Sequence, residues 1–386
     1  MIMERSFFSI FETLEDPRCD KGKKYPLMDV IILALYGVLI GFTDFTNMSY
    51  YLKKREKELT ERLGLGKGVP SHDVFSDVFR ALDVEAFMKL FVEWARGIAY
   101  KKSGKHIAID GKAVRAAAKK SENGNIPYVI SAFMCGCGLS VGQKEVGEKT
   151  NEIPEIPRLL DLVDITECFV TIDAIGTQTE IMDKIIEKEG HFCLQLKKNQ
   201  KTAFEDVELF FKDMEENDRK RFTAMDTFSE THKDHGRIEK REYRIFAENS
   251  EIKRILDPKW EHVNCLGMAS LTRQTEDSVS KEIHFHLLDT VVSSEKYGQL
   301  ARGHWEIENG LHWILDIHFK EDASTANEDN ALANLALLRK IAFNFTKLDP
   351  GMAKKSTKKK MIDFMTDLEL FRKLVFEVIP DNAISG

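Results

Sequence analysis

The sequence lacks an apolar stretch long enough to cross a lipid bilayer. Its longest apolar run extends from Val30 to Phe42 and is closed by Asp29 and Asp44, whereas a membrane-spanning helix needs about 20 such residues. No basic segment with a small-residue cleavage site, of the kind that marks a secretory signal, precedes this run. We therefore predict a cytoplasmic protein that does not bind membranes.

Cysteine is scarce and scattered. The chain has six cysteines among 386 residues, and only Cys135 and Cys137 lie close together, in an apolar, strand-like run. A zinc ribbon would require two spaced pairs of cysteines. The sequence therefore predicts buried free thiols rather than a zinc ribbon.

An overall excess of positive charge is also missing. The formal net charge is −7 at pH 7, which argues against a generic nucleic-acid binder whose surface is basic throughout. The basic residues are nevertheless clustered, and some clusters lie close in sequence to Asp110 and Asp173. The clusters are at 53–55, 112–120, 197–201, 219–221 and 354–360. We interpret the last one as a solvated tail with some nonspecific affinity for DNA.

Helical and strand-like patterns follow one another in an order that is typical of an α/β protein with a mixed sheet. Residues 5–100 have helical spacing, whereas short apolar runs bounded by Gly, Lys or Asn begin after residue 105. The predicted strands are 106–110, 128–134, 139–146, 168–173 and 191–196, with helices at 154–163 and 177–189. A charged, strand-rich segment follows, with strands at 237–246, 265–271 and 283–288, before helical spacing returns near residue 297.

These patterns predict five segments along the chain. The first is a helical N-terminal domain, and the second and fourth form one α/β core that the third interrupts as a β-rich insertion. The fifth is a basic, helical tail. Their predicted bounds are 1–100, 101–201, 202–295, 296–347 and 348–386.

Three acidic residues, far apart in sequence, are the candidate metal ligands. Asp110 and Asp173 each end an apolar, strand-like run, and Glu308 lies in an amphipathic helical stretch. Burying a carboxylate without a cation or a partner costs several kcal/mol. Two carboxylates at strand ends and one on a helix match a site that holds two Mg²⁺ or Mn²⁺ ions and performs phosphoryl transfer. If the first and fourth strands are neighbours, the two aspartates meet at one edge of the sheet.

Basic residues near these acids are candidate contacts for a DNA phosphate. Lys112, Arg115 and Lys198 follow the strands that end in the acids or lie next to them. Arg302 is expected two turns before Glu308 on the same helix, where it would also reach a phosphate. Asn199, after the fifth strand, is a further candidate that would read or clamp DNA.

Several separate motifs occur in an order that closely resembles the DDE transposases of the H-repeat-associated insertion-sequence group. They are Ile-Asp-Gly-Lys at 109–112, Thr-Asn-Glu-Ile-Pro at 150–154, Thr-Ile-Asp-Ala at 171–174, Leu-Lys-Lys-Asn-Gln at 196–200, His-Gly-Arg at 235–237 and His-Trp-Glu-Ile-Glu-Asn-Gly-Leu-His-Trp at 304–313. The resemblance extends from about residue 8 to residue 347.

This resemblance implies an RNase H-like core, with a mixed five-stranded sheet and a β-rich insertion between the second and third acids. It implies a nucleoid-associated enzyme that uses two Mg²⁺ ions, or Mn²⁺, for cut-and-paste strand transfer. Asp110, Asp173 and Glu308 would be its metal-binding triad. Its partners would be the terminal inverted repeats of its element and a target DNA, bound by a homodimer in a synaptic complex.

The sequence departs from related transposases outside this group at two positions near the third acid. Those enzymes place an arginine directly before the tryptophan and a lysine seven residues after the glutamate, whereas this chain has His304 and Leu315 there. The phosphate contact of those residues would have to be made by Arg302, His304 or His312.

Other interpretations of the same residues remain open. Asp110 precedes glycine and suits a turn, and Glu306 competes with Glu308 as the third acid. His304, Glu308 and His312 could instead form one helix face that ligates zinc. The neighbouring Trp305 and Trp313 are expected in the core, with stacking on the substrate as the alternative. A co-opted DNA-binding protein that has lost catalysis is the alternative function.

Overall fold

The computed structural model describes residues 5–19, 23–99, 105–113, 128–146, 152–234, 237–323 and 329–379. The protein is an α/β structure with one mixed, nine-stranded sheet in the order β3-β2-β1-β4-β5-β9-β8-β7-β6. The strands are β1 His106–Ala113, β2 Tyr128–Met134, β3 Leu139–Val146, β4 Phe169–Ile172, β5 His191–Leu196, β6 Asp226–Asp234, β7 Arg237–Phe246, β8 Cys265–Gln274 and β9 Val279–Leu288.

The helices lie mainly before and after the strands. They are α1 Phe7–Phe11, α2 Leu27–Leu39, α3 Phe45–Lys54, α4 Glu56–Leu63, α5 His72–Ala81, α6 Val84–Ala99, α7 Glu155–Leu162, α8 Thr179–Glu187, α9 Lys201–Asn217, α10 Arg219–Ala224, α11 Asn249–Ile255, α12 Ser294–Gly303, α13 Trp313–Ile317, α14 Asp329–Phe345, α15 Thr357–Thr366 and α16 Leu368–Phe376. None of these helices is both long and apolar enough to span a bilayer, over the residues that the structure describes.

The chain divides into two compact units. The first contains residues 1–104, 111–151 and 308–386, and the second contains residues 105–110 and 152–307. Both units therefore combine segments that are distant in sequence. The five segments predicted above stay a prediction as domains.

The second unit contains the parallel part of the sheet. Strand β4 pairs in parallel with β1 on one side and with β5 on the other. The next strand, β9, pairs antiparallel with β5 and leads through β8 and β7 to β6. The five predicted core strands are present, but the sheet is not limited to five, because the strands of the predicted insertion cover the edge of β5 and continue the same sheet.

The predicted insertion is less purely β than its sequence suggested. Its three predicted strands are confirmed as β7, β8 and β9, but β6 and the helices α9, α10 and α11 were missed. Helix α9 buries Ala203, Val207, Phe211 and Met214, a spacing of four, four and three residues that is typical of an amphipathic helix. The many charged residues between these positions concealed the signal.

The first unit is a helical assembly around α2 and α14. Helix α2 buries 12 residues, so it is apolar on all sides, as expected for a helix inside a core. Helix α14 packs against α2, α5, α6 and β3. Its Asn344 exchanges two hydrogen bonds with the backbone of Ser140 in β3, at 2.8 and 2.9 Å. This exchange satisfies buried polar groups of both elements and fixes the helix on the strand.

Four of the five lysines at 354–360 are exposed, as predicted, but the C-terminal segment is docked and is not a free tail. Phe371 of α16 packs against Tyr36 and Phe345, with ring centroids 5.0 and 6.0 Å apart. Lys360 is buried, and its ammonium donates a hydrogen bond to the carbonyl of Thr346 at 2.8 Å. Burial lowers the pKa of Lys360 to about 8. The docking was missed because the basic charge of this segment was considered without the apolar spacing by which α15 and α16 pack on the protein.

The predicted free thiols are confirmed. All six cysteines are free, and all except Cys19 are buried. The five buried thiols act as small apolar side chains in the core.

A cluster of buried charges lies within the first unit. The ammonium of Lys112, at the end of β1, contacts carboxylate oxygens of Asp316 and of Glu321, the latter at 2.8 Å. Glu321 also lies 3.7 Å from the ammonium of Lys340 on α14. Attraction to Lys340 and then Lys112 outweighs burial and lowers the pKa of Glu321 to about 2. Burial outweighs attraction at Lys340 and lowers its pKa.

We expect Glu321→Gln to destabilise the first unit strongly. Removing one member of a buried ion cluster leaves the others uncompensated, which costs about 3–5 kcal/mol. The contribution of Glu321 is present above its ordinary pKa of 4.5 and is lost as pH falls through about 2. Urea unfolding should therefore separate the variant from the wild type at pH 7, and much less near pH 2. Glu215→Gln, on the exposed face of α9, is the control, and an equal effect of both changes would contradict the assignment.

Candidate catalytic site

Two carboxylates lie side by side in the second unit. Strands β1 and β4 are parallel, and Ile109 is aligned with Ile172, so the next residues, Asp110 and Asp173, occupy adjacent positions. Both side chains are half-buried. The pKa of Asp173 is raised, first by burial and then by the charge of Asp110. The predicted meeting of the two aspartates at neighbouring strands is confirmed.

Strand alternation places a polar row on the same face as this pair. Successive side chains of a strand point to opposite faces, so His106 shares a face with Asp110, and Thr171 shares a face with Asp173. The intervening Ile109 and Ile172 point to the other face and are buried. The face beside the carboxylates therefore carries polar side chains, although the strands as a whole are apolar.

The end of α12 packs on this polar row. Gly303 is the last residue of α12, and a Cβ atom added there would lie 2.7 Å from Cε1 of His106. His304 follows, and its Nδ1 lies 3.2 Å from Oγ1 of Thr171. Burial lowers the pKa of His304, while the charges of Asp110 and Asp173 oppose that shift. The imidazole of His304 is therefore within electrostatic reach of both carboxylates.

The loop after Asp173 is held in place from the end of β5. The side-chain amide of Asn199 donates to the carbonyl of Ala174 at 2.6 Å. Gln200 donates to the carbonyl of Thr177 at 2.9 Å, and Thr177 donates to the carbonyl of Gln195 at 2.6 Å. Asn199 thus braces the loop that presents Asp173, and its predicted contact with DNA stays a prediction.

The third candidate acid lies in an irregular helical stretch. Glu308 begins a π-helix, Glu308–His312, and its side chain is exposed. Helix α12 ends at Gly303 and the chain turns at 304–305. The prediction that Arg302 and Glu308 share one helix is therefore wrong. His304, Glu308 and His312 also do not form one regular helix face, because a π-helix closes its hydrogen bonds five residues apart.

The remaining predicted DNA contacts have different surroundings. Lys112 forms ion pairs with Asp316 and Glu321, and His312 is buried. Lys198 is exposed. Arg302 is exposed and lies 3.1 Å from a carboxylate oxygen of Glu230. Arg115 lies outside the described residues. None of these placements tests a DNA contact, and all five contacts stay predictions.

The two tryptophans near the third acid are not in the core. Trp305 is 55% exposed and Trp313 is 54% exposed, so the core prediction for both is wrong. Helical spacing alone did not show which side of this stretch packs against the core.

The two aspartates fit a hard divalent cation. Carboxylate oxygens are the ligands that Mg²⁺ and Mn²⁺ prefer, and a cation between them would relieve the repulsion that raises the pKa of Asp173. Over the ranges that the structure describes, no three His, Cys, Asp or Glu side chains are grouped so that they could hold a metal ion. The structure therefore brings together a pair of candidate ligands, and Glu308 as the third stays a prediction.

Sequence reasoning missed Thr171 and His106 as members of this site. The signal was present, since each is a polar residue within an otherwise apolar run, two or four positions before an aspartate. At even spacing in a strand, such residues share the face of the aspartate.

We expect Gly303→Ala to destabilise the second unit by about 1–3 kcal/mol, because the added methyl group would overlap the buried His106 ring. Gly97→Ala is the matched control, since a Cβ atom there has no heavy atom within 4 Å and alanine favours the helix α6. The measurement is the urea midpoint of each variant. Equal midpoints for both would contradict the close packing of α12 on β1.

Two family models match most of the chain. The model described as DDE_Tnp_1-associated matches residues 8–95. The model described as transposase DDE domain matches residues 101–345, which is more than half of the 386 residues.

Curated relatives match over most of their own length. YncI of Escherichia coli O157:H7, named as a candidate transposase, is 29% identical over 88% of this chain and 87% of its own. YhhI of Escherichia coli K12, named as a candidate H repeat-associated transposase, is 28% identical over 83% and 85%. An uncharacterised protein encoded in the dhlA 3′ region of Xanthobacter autotrophicus is 35% identical over 70% and 90%.

A solved structure of a piggyBac transposase synaptic complex with hairpin DNA is a more distant match. It is 12% identical, covers 89% of this chain and 72% of that chain, and has a TM-score of 0.43. A likeness at this level does not establish a shared fold.

Proposed function

This chain belongs to the family of transposases with a DDE domain, and from that membership we propose that it cleaves DNA at the ends of its own element and joins the freed 3′-hydroxyl to target DNA. The observation that carries the proposal is the pair Asp110 and Asp173, adjacent on two parallel strands and half-buried. An RNase H-like arrangement of the strands around this pair is part of the proposal.

The carboxylates of Asp110 and Asp173 would bind two divalent cations, Mg²⁺ or Mn²⁺, together with Glu308. Such ions lower the pKa of a bound water or hydroxyl and stabilise the leaving oxygen of a phosphodiester. The protein has to hold these oxygens in place, and the loop braced by Asn199 and Gln200 presents Asp173 in one position. The pairing of β1 with β4 likewise holds Asp110 in one position.

The substrate would be double-stranded DNA, both the terminal inverted repeats and the target. Lys198 and Arg302 are exposed on the second unit and would contact phosphates, as would Arg115. Two copies of the chain would hold the two ends in one synaptic complex. In this proposal Lys112 acts through Asp316 and Glu321, to which it is bound, rather than through DNA.

We expect Asp110→Asn, Asp173→Asn and Glu308→Gln each to reduce strand cleavage by more than about a hundredfold, since even residues that only support a metal ligand cost 10- to 100-fold. Binding of the DNA end should change little, because these carboxylates do not make the phosphate contacts that hold the DNA end. Cleavage of a labelled end from the native locus measures the first effect, and gel mobility the second.

Glu306→Gln is the matched control for the third acid, because Glu306 is exposed two residues away. It should cleave as the wild type does. If Glu306→Gln abolished cleavage and Glu308→Gln did not, Glu306 would replace Glu308 in the proposed triad.

Cleavage should require Mg²⁺ or Mn²⁺ and stop with EDTA. Binding of Mn²⁺ to the wild type, measured by calorimetry without DNA, should weaken as pH falls, because protons compete for carboxylates and the pKa of Asp173 is raised. Asp173→Asn should lose most of this binding. Tight binding of DNA ends with no cleavage under any metal would point instead to a DNA-binding protein without catalysis.

A further inference from the structure

Three polar side chains form a hydrogen-bonded chain on the sheet face beside the two aspartates. Nε2 of His106 lies 2.8 Å from Oγ1 of Thr171, and the same oxygen lies 3.2 Å from Nδ1 of His304. All three residues belong to the second unit. They come from β1, from β4 and from the residue that follows α12.

We propose that His106 and Thr171 are positioning residues that hold the imidazole of His304 with its Nε2 directed at the reacting oxygen of the DNA or water bound beside Asp110 and Asp173. The proposal rests on the proposed function, because it assigns a role within the same site. It assigns His304 a part in the reaction in addition to the three acids. His106 and Thr171 would act only through His304.

The burial of this chain is not explained by packing alone. Thr171 is 2% exposed and His106 is 7% exposed, in strands whose other buried residues are mainly apolar. A buried polar group is costly unless it is hydrogen-bonded, and an apolar residue of the same shape would avoid that cost. His106 and Thr171 hydrogen-bond each other, and the hydroxyl of Thr171 also hydrogen-bonds His304.

Either histidine ring could donate to the shared hydroxyl of Thr171, and the proposed role takes the direction in which His304 donates. Burial lowers the pKa of His106 to about 3, so its imidazole is neutral and one of its nitrogens is an acceptor. Thr171 has one hydroxyl proton, which it can donate to Nε2 of His106 while accepting from Nδ1–H of His304. The lone pair then lies on Nε2 of His304.

The geometry of the ring turns that lone pair toward the site. The two nitrogens of an imidazole point in nearly opposite directions, so Nε2 of His304 is directed away from the sheet when Nδ1 contacts Thr171. Both carboxylates act electrostatically on this ring. An acceptor at this place can orient the hydroxyl of the attacking water or 3′-end. Gly303 makes the arrangement possible, because a larger residue would push α12 away from His106.

The test uses two substitutions of nearly equal shape. Thr171→Val removes the hydroxyl and keeps the volume, whereas Thr171→Ser keeps the hydroxyl. We expect Thr171→Val to lower the kcat of end cleavage about 10- to 100-fold, in the range known for residues that support a ligand, with KM for DNA unchanged. Thr171→Ser should stay within about threefold of the wild type. Equal losses in both variants would overturn the proposal.

A double mutant separates positioning from a merely structural role. His304→Leu should lose at least as much activity as Thr171→Val, and the double variant should be no worse than His304→Leu alone, because Thr171 acts only through His304. Additive losses would overturn the proposal. His106→Leu should behave like Thr171→Val, provided that its urea midpoint shows a folded second unit.

A spectroscopic readout keeps this test distinct from the proposed function. Nitrogen-15 NMR of the histidine rings should show His304 protonated on Nδ1 in the wild type and in Thr171→Ser, and a mixed tautomer in Thr171→Val. This outcome would support the chain of hydrogen bonds even if the wild type cleaved no DNA, a result that would overturn only the proposed function. An unchanged His304 tautomer in Thr171→Val would overturn the positioning role itself.

Discussion

The parallel pairing of β1 with β4 is the constraint on which the site depends. Its register aligns Ile109 with Ile172 and so places Asp110 beside Asp173. Burial raises the pKa of Asp173, and the neighbouring charge of Asp110 raises it further. The pairing keeps them together because the apolar residues before them are buried on the other face of the sheet. A cation bound between Asp110 and Asp173 would relieve their mutual repulsion.

Several buried polar groups in each unit have a defined partner. In the second unit, His106 and Thr171 hydrogen-bond each other beside the carboxylates. In the first unit, Lys112 is bound to Asp316 and Glu321. Such groups contribute little net stability compared with an apolar core, but they penalise any other arrangement of the same elements strongly. They make the positions of the neighbouring segments specific.

Much of the element order could be predicted from the sequence. The five core strands were predicted because each contains a short apolar run between Gly, Lys or Asn, and the approach of Asp110 to Asp173 followed from their places at the ends of such runs. Strand β1 continues past Asp110 to Ala113. Helix α9 was missed because exposed charges separate its buried residues. The exposure of Trp305 and Trp313 and the burial of Lys360 could not be predicted, because amphipathic spacing does not say which neighbour covers a face.

The sequence by itself determined the residue types of the site, the strand runs that end in Asp110 and Asp173, and the motifs that identify the family. Those features are local, since they depend on apolar periodicity and on the order of residues along the chain. Only the tertiary structure decided that Lys112 binds carboxylates, that the strands of the predicted insertion continue the core sheet, and that His304 rests on Thr171. These depend on which segments, distant in sequence, meet when apolar surface is buried, and local patterns do not contain that information.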